Sequence, residues 1–288
     1  MKYLIRGGVM NKKEIIKMLN HDIESEHGAI IQYLTHAYAM GEGEFSCEIE
    51  AIAREEMRHL DFLAEKVVDL GGTISLTRGN MIMKGKTVPA WMQNDVLLED
   101  DAIKTYKEQL KVIKDRDIRL LLERILSDEL AHHDKFARYM EKVKKAKLVD
   151  NRGKKNDKVT KFLNWGVEHE YTVILQYLLH SYLAKDIKTR DELQDQAINE
   201  MQHMGWLAEE IVDGGGAPIM EHTAINKGRT MSGMLKSDIK IEKMVAAEYD
   251  RGAREIVKDE KLKKLIIRIR DHEIYHTKLF NKLLKKTK

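Results

Sequence analysis

The chain has 288 residues, 43% of them hydrophobic and 34% charged, which suits one large domain or two ordinary ones and excludes a disordered chain. Fifty Lys and Arg against 47 Asp and Glu leave a net charge of +3, so bulk charge does not mark a nucleic-acid binder. A single cysteine, Cys47, excludes a disulfide framework and a cysteine-rich zinc or iron–sulfur site, and no apolar run reaches the ~20 residues that a bilayer span requires.

The opening stretch, MKYLIRGGVM, lacks the apolar segment of a signal peptide, and a cytoplasmic protein is expected. Met10 serves equally well as a start, with residues 1–9 a lead outside the fold. From there apolar residues recur at helical spacing in four long stretches, about 11–40, 44–70, 94–114 and 117–147. Four more follow, about 159–185, 190–213, 237–258 and 260–286. The second set repeats the first. SEHGAIIQYLTHAY around Glu26 returns as HEYTVILQYLLHSY around Glu170, and REEMRHLDFLAEKVVDLGG around Glu56 returns as NEMQHMGWLAEEIVDGGG around Glu200, each 144 residues on. Two domains are expected, 11–147 and 159–286, with a basic linker at 148–158. Residues 142–158 hold eight basic and two acidic side chains and no aromatic one, which reads as a solvated helix end and linker rather than a nucleic-acid contact.

Within each copy the links are short except between the second and third stretches, 71–94 and 214–237, which also contain Pro89 and Pro218. Short links make antiparallel neighbours, and a gap of ~24 residues can run the length of a bundle. The predicted fold is all-α: two tandem four-helix bundles, each with one long crossover between its second and third helices. The two crossovers differ greatly in sequence, and Trp91 is expected to anchor the first.

Ionisable residues interrupt the apolar stripe of every helix. The second stretch steps Ile49, Ile52, Glu56, His59, Leu63, and the fourth Leu122, Ile125, Glu129, His132, Phe136. Glu26 and Glu99 lie on the stripes of the first and third. The second copy repeats all six positions, 143 or 144 residues on, as Glu170, Glu200, His203, Glu242, Glu273 and His276. Four carboxylates buried together are untenable without a compensating positive charge, because each desolvated ion loses several kcal/mol and like charges repel. No Lys or Arg shares the stripes at that level, so a metal is expected. Carboxylate oxygens and imidazole nitrogens suit iron, manganese or zinc.

The run EHGAIIQYLTHA, the EMRH of the second stretch, the Glu99, Ala102, Tyr106 spacing of the third and the later ELAH resemble the ferritin-like di-iron carboxylate family, with bacterioferritin and its cage-less relatives the nearest branch. The resemblance covers nearly the whole chain, once per copy, with Val245 where the first copy has Ala102. It implies that Glu26 and His59 hold one metal and Glu99 and His132 a second, bridged by Glu56 and Glu129. In the second copy Glu170 and His203 hold one, Glu242 and His276 the other, bridged by Glu200 and Glu273. It also implies Tyr33 and Tyr177, with Tyr106 and Tyr249, as sources of an electron or of a hydrogen bond to a carboxylate, core packing being the plainer alternative. His36 and His180 stand as a point where iron enters or as a polar helix end. Met57 and Met201 follow the bridging Glu where bacterioferritin places a haem-ligating Met; core filling is the alternative.

The function implied is oxidation of Fe(II) by O2 or hydrogen peroxide at two di-iron centres per chain, by a homo-oligomer. Three alternatives stay open: an iron-storage shell of fused bundles, a di-manganese catalase-like enzyme, and a di-iron oxygenase acting on an organic substrate. Neither copy leaves room for the fifth helix of the large cages, and there is no Cys-x-x-Cys pair for a rubredoxin-type module.

Overall fold

The computed structural model describes residues 10–41, 43–143, 155 and 157–287; the lead 1–9 and most of the basic stretch, 144–154 and 156, lie outside them. Among the described residues there are eight α-helices and no strand: α1 Lys12–Met40, α2 Glu44–Asp69, α3 Val88–Val112, α4 Arg116–Val143, α5 Lys158–Leu183, α6 Ile187–Asp213, α7 Met231–Glu255 and α8 Glu260–Lys286. They form two compact units, α1–α4 and α5–α8. In each, the first helix packs along the second and the third along the fourth, and first–third and second–fourth contacts close the bundle. None of the described helices is long and apolar enough to cross a membrane.

Local chemistry sets where the helices begin. Asn11 accepts from the backbone of Lys13 and Glu14, while the Glu14 side chain accepts from the Asn11 amide, a reciprocal cap. Asp157, Asp186 and Asp259 cap α5, α6 and α8 from one side only, each accepting from a backbone amide three residues on. The third helix of each unit starts earlier than the apolar pattern predicts, at Val88 and Met231 instead of about 94 and 237. Thr87 and Thr230 are the reason: each hydroxyl caps a backbone amide three residues on, and Pro89 sits in the first turn, where its missing N–H is harmless. Pro89 and Trp91 therefore belong to α3 and not to the crossover. Trp91 is buried and stacks on His36, with ring centroids 5.6 Å apart.

The crossovers run along the first helix of their unit, tied by the same two amides. Asn20 donates to the Thr73 carbonyl and accepts from Ser75, and Asn164 does so with Ala217 and Ile219. Farther along, Gln32 accepts from the Ile82 amide and donates to buried Asp95, which His36 also contacts at 2.8 Å. Gln176, Asn226, Asp238 and His180 repeat this network, and there His180 reaches the Asn226 carbonyl as well. His36 and His180 are thus buried, 1% and 0% exposed, and held by aspartates, with His180 in the last turn of α5. Gly79 makes the first crossover possible: its amide bonds the Glu24 carbonyl at 2.7 Å, and a Cβ there would lie 2.4 Å from that same oxygen.

Asp238→Ala would leave Gln176 and His180 without their buried acceptor. Unfolding followed by far-UV circular dichroism should show a loss of about 3 kcal/mol in the unit that contains it. An unchanged midpoint would mean that the crossover is held without this network.

Candidate metal centres

Each helix of a unit delivers ionisable side chains to one level of the bundle interior. In the first unit α1 contributes Glu26, α2 Glu56 and His59, α3 Glu99, and α4 Glu129 and His132; all six are 4% exposed or less. They fall into two quartets, Glu26–Glu56–His59–Glu129 and Glu56–Glu99–Glu129–His132, within each of which the potential ligand atoms lie within 4.8 Å of one another. The quartets share Glu56 and Glu129. The second unit has the same pair, Glu170–Glu200–His203–Glu273 and Glu200–Glu242–Glu273–His276, sharing Glu200 and Glu273.

The geometry within the clusters repeats closely. His59 Nδ1 lies 2.7 Å from Glu56 and 3.0 Å from Glu129; His203 Nδ1 lies 2.7 Å from Glu200 and 3.0 Å from Glu273. His132 and His276 bring Nδ1 to 2.8 Å from Glu56 and Glu200 respectively. The two imidazole centroids are 5.9 Å apart in one unit and 6.1 Å in the other. Several of these inward atoms are close without being aligned for a hydrogen bond. His132 Nδ1, Glu56 Oε1, Glu99 Oε2 and Glu129 Oε1, and in the second unit His203 Nδ1, His276 Nδ1, Glu170 Oε2 and both oxygens of Glu200, are buried with no hydrogen-bond partner. Buried polar atoms are nearly always paired, so a convergent set of orphan lone pairs is the signature of an ion-binding cradle. Oxygen and imidazole donors, with no thiolate, fit iron or manganese, and the residues fit the group.

Four tyrosines brace the outer carboxylates. Tyr33 donates to Glu99 Oε1 at 2.6 Å, leaving Oε2 unpartnered, and Tyr177, Tyr106 and Tyr249 donate to Glu242, Glu26 and Glu170. Their hydroxyls are therefore spent on cluster carboxylates rather than on core packing. Burial, then the charge of the nearby carboxylates, holds all four phenols well above their ordinary range.

Burial and mutual repulsion set the charge of the cluster groups. Burial, then neighbouring carboxylate charge, raises Glu26, Glu99, Glu170 and Glu242 well above the carboxylate range. Burial would raise Glu56 too, but the close imidazoles of His132 and His59 bring it down to about 2. Burial opposes charge on the imidazoles, yet the facing carboxylates win and lift His59 to about 12 and His132 to about 9. Glu200 is likewise lowered, and His203 and His276 raised. Without a metal the clusters balance themselves with protons.

Met57 and Met201 are half-buried. Reasoning from sequence missed the Asp95 and Asp238 networks, although Gln32 and Asp95 recur as Gln176 and Asp238 at the repeat offset, a signal already in hand. It also missed Asp128, Glu55 and His272, which touch the outward nitrogens of the cluster histidines.

Comparison with known proteins agrees with the geometry. A family model for the ferritin-like domain matches residues 16–146 and again residues 160–288. The bacterioferritin of Desulfovibrio desulfuricans is 35% identical over 127 residues, 42% of this chain and 71% of that protein. Bacterioferritin BfrA of Mycobacterium tuberculosis is 26% identical over 127 residues, covering 80% of its length. Among solved structures, the Desulfovibrio desulfuricans bacterioferritin, described with its diiron site in different catalytic states, aligns with 46% of this chain and 82% of its own at 32% identity and a TM-score of 0.45. The chain belongs to the ferritin-like family and carries its domain twice.

Proposed function

We propose that the chain is a di-iron oxidoreductase that oxidises Fe(II) with O2 or hydrogen peroxide, with one dinuclear centre in each bundle. One observation carries this reading: in each bundle two ligand quartets share two carboxylates, which suits two adjacent ions and not one. Glu26 and His59 would hold one metal, Glu99 and His132 the other, and Glu56 and Glu129 both. Glu170, His203, Glu242, His276, Glu200 and Glu273 would do the same in the second bundle. Similarity to proteins named bacterioferritin supports iron as the metal.

When bound, a metal pair supplies two electrons to one small oxidant. The chain's own residues do the rest. The tyrosine hydroxyls hold one oxygen of each outer carboxylate and leave the other to a metal. Ile52, Leu63, Ile125 and Phe136, all fully buried on the same helices, keep bulk water from the cluster. Tyr33 and Tyr177, and equally Tyr106 and Tyr249, are hydrogen-bonded to outer carboxylates and placed to donate a further electron.

Anaerobic Fe(II) loading of the metal-free chain followed by O2 should oxidise about four Fe(II) per chain rapidly, two for each dinuclear centre. Glu56→Ala, which removes a shared carboxylate, should reduce that count to about two by abolishing one centre. Retention of many tens of ferric ions in soluble form would favour a storage shell. Consumption of peroxide without Fe(II) by manganese-loaded protein would favour a catalase. No oxidation above the buffer control overturns the proposal.

Metal and protons compete for the same atoms, so loading should release protons. The histidines are held protonated and the outer carboxyls are held neutral at neutral pH in the metal-free clusters. Apparent affinity should therefore rise as pH increases from about 6 to about 8, and an indicator dye should report acidification on loading. Affinity that falls with pH would be incompatible with these ligands.

Removing the metal should also weaken the fold. At free metal about a hundredfold above its dissociation constant, each bound ion adds about 2.7 kcal/mol, seen as a higher thermal midpoint than that of chelator-treated protein.

A further inference from the structure

The two bundles offer an internal comparison at the outward nitrogens of the cluster histidines. In the first, His59 Nε2 lies 3.2 Å from Asp128 and His132 Nε2 lies 2.5 Å from Glu55, so both imidazoles are backed by carboxylates. In the second, the position of Asp128 is taken by His272, whose Nδ1 lies 2.9 Å from His203 Nε2. The position of Glu55 is taken by Asn199, whose amide bonds Gln196 on its own helix instead. No hydrogen bond to Nε2 of His276 is formed among the described residues.

The arginine–aromatic contact beside these histidines is kept in both bundles. Arg124 lies over Phe62 at 4.6 Å, and Arg268 lies over Trp206 at the same distance. The shortest inward distances and the tyrosine contacts repeat, while His276 Nδ1, unlike that of His132, also lies 3.3 Å from the Glu on its own helix, Glu273. Lys135, 3.9 Å from Glu55, tempers one of the carboxylates but does not remove it.

A carboxylate behind a ligating imidazole fixes its orientation and raises its basicity; loss of such a partner weakens metal binding by about 10–100-fold. An imidazole is not an anion in either protonation state, so His272 can orient His203 but cannot raise its basicity as a carboxylate does. Asp128 and Glu55 are 42% and 37% exposed, so solvent screens their charge, but the hydrogen bonds are direct.

We propose that the two centres divide their labour: the one backed by Asp128 and Glu55 keeps its metal pair as a resident cofactor, and the one backed by His272 loads and releases metal. This rests on the reading of both clusters as metal centres. Asp128, Glu55 and His272 act through the ligating histidines and are positioning residues.

The test is anaerobic Co(II) titration of the metal-free full chain, followed by absorbance and equilibrium dialysis and then by chelator extraction. Two affinity classes differing about 10–100-fold are expected, with the weaker half extracted first. Glu200→Ala with Glu273→Ala should leave the tight class, and Glu56→Ala with Glu129→Ala the weak one. His272→Asp with Asn199→Glu should move the weak class toward the tight one, and Asp128→His should do the reverse, with helicity and thermal midpoint confirming an intact fold. A single affinity class in the unmodified chain overturns the inference while leaving the metal centres standing, and it does so even where a variant fails to fold. Affinity at the second centre that ignores His272→Asp also overturns it. Absence of Co(II) binding at either centre overturns the metal reading itself.

Discussion

Each bundle buries four carboxylates and two imidazoles at one level of its interior, and the rest of the structure is organised around that charge. Removing one ion from water loses several kcal/mol, and carboxylates within 4.8 Å of one another repel. A protein can tolerate this only if every helix supplies its share in register and something positive completes the set. That requirement explains why each helix carries a Glu on an otherwise apolar stripe, and why the second and fourth add a His one turn on. It also explains the tyrosines. A phenol is large enough to fill the space between helices and carries one hydroxyl to satisfy one carboxylate oxygen, leaving its partner oxygen free.

A second polar layer serves the fold and not the chemistry. Asp95 and Asp238 receive a glutamine amide and contact a histidine from the facing helix, and the glutamine's other end takes a crossover amide. A long connection with few apolar residues is thereby held along the first helix through backbone groups. This accounts for two crossovers of very different sequence following one course: what is recognised is an amide N–H and a carbonyl, which every residue but proline provides. His36 stacks on Trp91 in the first unit and His180 bonds a carbonyl in the second, so the layer tolerates variation at its margin.

Elsewhere the two halves solve one packing problem differently. The first buries Asp22 against Gln109, which donates to it at 2.6 Å, and burial outweighs that bond and pushes Asp22 up to about 7. The second has Gly166 and Gly252 at those positions, and aromatic rings fill the space. A Cβ on Gly252 would lie 2.1 Å from the Phe162 ring, and Phe162 and Trp165 both meet Tyr249 edge-on. Around Glu26 and Glu170 the environments are therefore polar in one bundle and aromatic in the other, while the carboxylate–tyrosine contact itself is kept.

The sequence by itself determined the repeat, the helix count, the crossover position and all twelve cluster residues. It could do so because helical periodicity and a 144-residue recurrence both act along the chain: a Glu or His that breaks an apolar stripe at the same place twice is visible without coordinates. The early starts of α3 and α7 were less legible, because a threonine cap and a first-turn proline decide them and apolar spacing does not. Only the tertiary structure decided which polar residues are partners across helices. The partner of His36, Asp95, stands 59 residues away and is brought beside it only by the fold. Asp128, Glu55 and His272 look like ordinary surface groups until folding sets them behind the cluster histidines, 69, 77 and 69 residues distant. Pairing of that kind depends on how four helices are rotated against one another, and no local pattern in the chain encodes that rotation.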